Sequence, residues 1–88
     1  MIKFYNYDSI KNRMTLLYKL DGEQLDVISP AAPIVIIKYD ELRLFEWQRC
    51  NLIYLDIYNM FYKITSAEIL PGVDIKIELA ADTTIRPD

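Results

Sequence analysis

Val73-Asp74-Ile75-Lys76-Ile77-Glu78-Leu79 decides the fold class of this chain. Its odd positions are all aliphatic and its even positions all charged. A period of two places successive side chains on opposite faces of an extended strand, so the stretch predicts a sheet with one buried and one wet face. Immediately before it, Pro71-Gly72 suits a type II turn, in which glycine takes the position of positive φ. Phe61–Leu70 then reads as the preceding strand. Asn51–Tyr58 reads as the strand before that, with Leu52, Tyr54 and Tyr58 alternating with Ile53, Leu55 and Ile57 and a turn at Asn59-Met60.

The same period runs through the first half. Ile2–Tyr7 forms an aromatic-rich strand, and Asp8–Arg13 is polar and turn-like. Met14, Leu16, Tyr18 and Leu20 alternate along one face of the next strand. Asp21-Gly22 follows, a dipeptide suited to a type I′ hairpin turn, with Glu23–Ile28 as the expected return strand. After the proline loop Ser29–Pro33, four branched aliphatics at Ile34–Ile37 predict a strand buried on both faces or lying in an interface. Tyr39–Arg49 reads as a connection with one helical turn starting near Asp40. Six or seven short hairpin-connected strands in 88 residues predict an all-β fold, a small antiparallel sandwich or barrel. Residues 1–88 form a single domain in this reading, with 82–88 a flexible or partner-docking tail.

Composition excludes several chemistries. The chain has no histidine, which removes Ser-His-Asp and Cys-His catalysis and histidine-ligated zinc. Cys50, the lone cysteine, cannot form an internal disulfide and reads as a buried structural thiol. Asp21, Glu23 and Asp26 lack the spacing of an EF-hand loop and read as a polar turn. Asp40, Glu41 and Glu46 have no sequence feature that would shift a pKa or build a cleft for acid–base work. No catalytic residue, metal ligand or cofactor is therefore expected, and the chain does not read as an enzyme.

Thirteen acidic residues against ten basic give a net charge of −3. Residues 1–44 hold six of each sign and residues 45–88 four basic against seven acidic, so the excess lies in the second half. A coherent basic face is what nucleic-acid binding needs, and direct binding is not expected. No signal peptide or transmembrane segment is evident, the longest strongly apolar run being Ala31–Ile37. The aromatic cluster Tyr54, Tyr58, Phe61 and Tyr62 suits core and protein-interface packing. An apolar content of 52% is generous for so small a domain and points to surface covered by partners. The interface residues expected on this reading are Ile34, Ile36, Trp47, Tyr54, Tyr58, Phe61 and Tyr62.

Asn51-Leu52-Ile53-Tyr54-Leu55-Asp56-Ile57-Tyr58-Asn59-Met60-Phe61-Tyr62-Lys63-Ile64 resembles a motif of small β-rich structural proteins of tailed, especially short-tailed, bacteriophages. Asn51, Tyr54, Leu55, Tyr58, Asn59, Phe61, Tyr62 and Ile64 match its first part, and Ile77, Leu79 and Asp82 its second. Phe4-Tyr5-Asn6 and the stretch from Ile28-Ser29-Pro30 to Ile37 sit where that family has similar segments. Met60 departs from an arginine, Ile75 from a tryptophan, and Thr83-Thr84 from Val-Leu. The resemblance implies a virion component of neck, tail or capsid, assembled in the host cytoplasm. Its partners would be other virion proteins and multiple copies of itself, and no catalytic residue carries over. The alternative is a small cytoplasmic adaptor or inhibitor binding one basic protein partner through its acidic second half.

Overall fold

A computed structural model describes residues 1–21, 25–26, 31–72 and 74–85. Seven strands, β1 (Ile2–Asp8), β2 (Arg13–Leu20), β3 (Leu25–Asp26), β4 (Ile34–Lys38), β5 (Leu52–Leu55), β6 (Met60–Leu70) and β7 (Asp74–Ala81), form one antiparallel sheet. Their order is β2-β1-β5-β6-β7-β4-β3. The sheet is all-β in class and sandwich-like, and it does not close into a barrel.

The reason lies in the strand count. Every neighbouring pair is antiparallel, so in a set of seven the two border strands, β2 and β3, run in the same direction. Closure would require them to pair in parallel, which needs a crossover of about a dozen residues. Only residues 21–24 separate them. The sheet instead curls until its borders approach. One turn of helix α1 (Tyr39–Leu42) directly after β4 reaches β2, where the Tyr18 hydroxyl donates to Glu41 Oε2 at 2.9 Å. Phe45 stacks on Tyr18 at 4.8 Å and contacts Phe4 at 5.1 Å, plugging the open end.

The core lies on the inner face of this curl. Ile2 and Phe4 of β1, Val35 and Ile37 of β4, Ile53 and Leu55 of β5, Tyr62 of β6 and Ile75, Ile77 and Leu79 of β7 are all buried there. The alternation read from Asp74 to Leu79 appears as expected: its aliphatics are buried and its charges half-buried on the outer face. Gly72 has φ +92°, as the Pro71-Gly72 turn demands.

Three expectations change. The return strand expected after Asp21-Gly22 does not pair with β2: its described part, Leu25–Asp26, pairs with β4 at the far border, β2 pairs with β1, and Gly22 lies outside the described residues. The remainder of that expected strand lies outside the described residues. Second, Met14, Leu16, Tyr18 and Leu20 do not share a face. A bulge shifts the register between Phe4↔Tyr18 and Tyr5↔Leu16, turning Tyr18 and Leu20 inward and Leu16 and Met14 outward. Third, the strand expected over Asn51–Tyr58 stops at Leu55. Asp56–Asn59 makes the turn, with Asn59 at φ +50°.

Candidate interaction surface

The β5–β6 hairpin occupies the middle of the sheet and divides the expected interface residues between two faces. Tyr62 opposes Ile53 and is fully buried, so it is a core residue and not a contact residue. Its hydroxyl reaches Met60 Sδ at 3.8 Å, and burial, then the neighbouring Tyr58, push its pKa up. Tyr58 and Trp47 are partly buried against the same core. Trp47 opens a short 3-10 turn, Trp47–Arg49, which with α1 forms the connection from β4 to β5.

Tyr54 and Phe61 oppose each other on the outer face, with ring centroids 5.0 Å apart. Phe61 also packs 5.9 Å from Tyr5, while Lys3 Nζ lies 5.6 Å over the Tyr54 ring. The Tyr54 hydroxyl donates to Asn59 Oδ1, tying the ring to the hairpin turn. Phe61 is only 7% exposed and Leu52 only 2%, although both face away from the main core. The centre of the sheet is therefore apolar on both sides, a feature that alternation within each strand conceals.

Ile34 and Ile36 lie elsewhere. Both are half-buried on the outer face of β4, opposite Glu78 and Lys76, which approach each other to 3.7 Å. Strands β7 and β6 separate them from Tyr54, so the seven residues do not form one patch.

A hollow of about 520 Å³ opens on the outer face where β5 begins, lined by Tyr7, Asn51, Leu52, Lys63, Asp82 and Thr84 among others. Asn51 builds its wall by acting as a substitute strand residue. Its side-chain oxygen accepts from the Tyr7 amide at 2.8 Å and its Nδ2 donates to the Tyr7 carbonyl at 2.9 Å. Opposite it, Asp82 is buried and accepts from the Thr84 amide at 3.0 Å. Burial alone would raise the Asp82 pKa. The Thr84 hydroxyl and amide, with Lys63 at 3.9 Å, outweigh it and hold the carboxyl below the usual range. Asp82 thus anchors the start of the 82–88 segment to β6; residues 86–88 lie outside the described ones.

The acidic candidates engage separate partners. Asp40 lies 3.9 Å from Arg43, Glu46 lies 3.1 Å from Arg49, and Glu41 accepts from Tyr18. Among the described residues no group of three His, Cys, Asp or Glu side chains is placed to hold a metal ion. Glu23 is outside them. Burial pushes the Cys50 thiol up to about 11, against the opposing effect of backbone hydrogen bonds at Leu52 and Tyr5. No helix among them is long and apolar enough to cross a membrane.

Sequence reasoning missed the roles of Tyr5, Lys3 and Leu52 on the outer face. Their signal was the aromatic content of β1, whose facing strand only the tertiary pairing could supply. No protein-family model, curated protein or solved structure matches this chain.

Proposed function

We propose that the chain is a non-enzymatic structural component of a bacteriophage virion, at the neck, tail or capsid surface, acting by packing against other virion proteins and copies of itself. The observation that carries this reading is the doubly apolar sheet centre. The phage-like motif from Asn51 to Ile64 lies in the β5–β6 hairpin and the segment leading into it, placing Tyr62 inward and Tyr54 and Phe61 outward. A domain that works alone needs only the inner set. Phe61 is itself covered within the chain, and the half-buried Tyr5 and Tyr54 rings packed on it suit repeated docking on neighbours.

The test is co-purification. A tagged chain is expressed during infection, particles are isolated on a density gradient, and the chain is quantified in them by mass spectrometry. A fixed number of copies per particle, retained through a high-salt wash, is expected. Tyr54→Asp should lower that number without altering the circular dichroism of the free chain. Absence from particles, with salt-sensitive capture of one basic protein, would overturn the reading in favour of the adaptor.

A further inference from the structure

The longest strand, β6, is covered along one of its edges for only part of its length. β5 covers β6 from Met60 to Lys63, and among the described residues nothing pairs with the same edge beyond Ile64. The outer half, Thr65–Leu70, hydrogen-bonds β7 alone. Thr65 through Ile69 are exposed, with Ile69 at 75%.

The direction of each peptide group on that edge follows from the ladder. Leu79 and Ala81 of β7 donate to Pro33 and Ala31, on the β4 side. Backbone groups alternate along a strand, so Asp74, Lys76 and Glu78 face β6, where they oppose Leu70, Glu68 and Ser66. The peptide groups of Ala67 and Ile69 therefore point away from β7, into the unpaired edge. An edge of this kind is a template for another strand, and proteins ordinarily guard it with charge, proline or a bulge.

We infer that this edge pairs with the same edge of a second copy, β6 against β6 in antiparallel fashion about a twofold axis at Ala67. Charge selects both edge and register. The other long edge without a partner among the described residues, β2, carries Arg13 and Lys19, so self-pairing there gathers four cations. On β6 the single charge between Thr65 and Leu70 is Glu68. An axis at Glu68 would set two carboxylates opposite each other, which is unfavourable. An axis at Ala67 instead sets Glu68 opposite Ser66 of the second copy, whose hydroxyl can donate to it. That register also pairs the outward peptide groups of Ala67 with their symmetry mates and covers Ile69. The inference deepens the many-copy reading above by naming a contact between copies, and it rests on that reading.

Ala67→Pro tests it directly. Because the Ala67 amide faces the unpaired edge, proline removes no bond to β7 while blocking strand addition. Ile69→Lys is the second disruptor, at a position exposed in the single chain, and Leu16→Lys on the β2 edge is the control. Sedimentation equilibrium across concentrations should show dimers in the unaltered chain and in Leu16→Lys, with at least a tenfold weaker association in the two β6 variants. In a Cys50→Ser background, Ala67→Cys should form a covalent dimer under mild oxidation and Glu68→Cys should not, reporting the register. Self-association unaffected by both β6 variants would overturn this contact and leave the many-copy reading standing. A monomer at every concentration would also overturn it, and the particle co-purification would then decide the broader reading by itself.

Discussion

The two halves of β6 differ in what surrounds them, although both read as strand. Met60–Lys63 lies against β5 throughout and against β7 at Tyr62 and Lys63, with Tyr62 buried on one face and Phe61 on the other. Among the described residues Thr65–Leu70 has β7 on one side only, and its inward-facing Ile69 is three-quarters exposed. A bulge between Ile64 and Ser66 marks the boundary. The comparison separates two things that a sequence pattern merges, forming a strand and being covered. The inner half obtains its stability from neighbours on both edges and both faces, whereas the outer half is held by one ladder.

Truncating a side chain in each half of β6 should give the largest difference between them. Tyr62→Ala should cost about 3–5 kcal/mol, the range for removing a fully buried aromatic ring, whereas Ile69→Ala should lie within about 0.5 kcal/mol of the unaltered chain. Urea unfolding at a concentration where the chain is monomeric measures both. Equal losses at the two sites would mean that the outer half is covered in the single chain.

Next in size is Asn51, which extends the ladder beside β1 just before β5 begins. Asn51→Ala should destabilise by about 1–2 kcal/mol for two lost hydrogen bonds, and should speed hydrogen exchange at the Tyr7 amide. Acid provides a smaller and sharper probe of the inner half. Asp82 has a folded pKa below its unfolded one, so its contribution is present above the unfolded value near 4 and is lost as pH falls through the folded value. An Asp82→Asn variant should therefore show a flatter decline of stability below about pH 4 than the unaltered chain. The smallest effect is chemical. Cys50, with its pKa pushed up to about 11, should alkylate far more slowly at pH 8 in the folded chain than in urea.

Hydrogen exchange resolves the two parts of β6 residue by residue. In dilute monomer the amides of Glu68 and Leu70, facing β7, should exchange more slowly than those of Ala67 and Ile69, facing the unpaired edge. Tyr62 and Lys63 should show no such alternation, because both edges of the strand are paired there.

Much of the fold was legible because it rests on local chemistry. The strand read over Val73–Leu79 and seen as Asp74–Ala81, the Pro71-Gly72 turn, the polar turn after β1 and the helical turn near Asp40 all follow from alternation, positive φ and short-range hydrogen bonding. The misread parts share one cause. Asp21-Gly22 carries a local hairpin signal, yet Leu25–Asp26 of the expected return strand pairs with Val35 and Ile34 of β4 at the opposite border. The single face assigned to Met14–Leu20 failed because one extra residue at the bulge reverses every later side chain. The candidate contact residues fared in the same way. Tyr54, Phe61 and Tyr62 were rightly grouped in one hairpin, but adjacent residues of a strand point to opposite faces, so Tyr62 entered the core.

The sequence by itself determined an all-β chain, its periodicity, most of its turns and the absence of histidine chemistry. Each of these depends on residue type or on neighbours within a few positions. Tertiary structure alone decided the strand order, the open seam between β2 and β3, the apolar outer face at Phe61 and Leu52, and the uncovered half of β6. The physical reason is that a period of two fixes which side chains share a face but carries no information about which strand lies alongside. That choice is made by packing and hydrogen bonding between segments far apart in the chain.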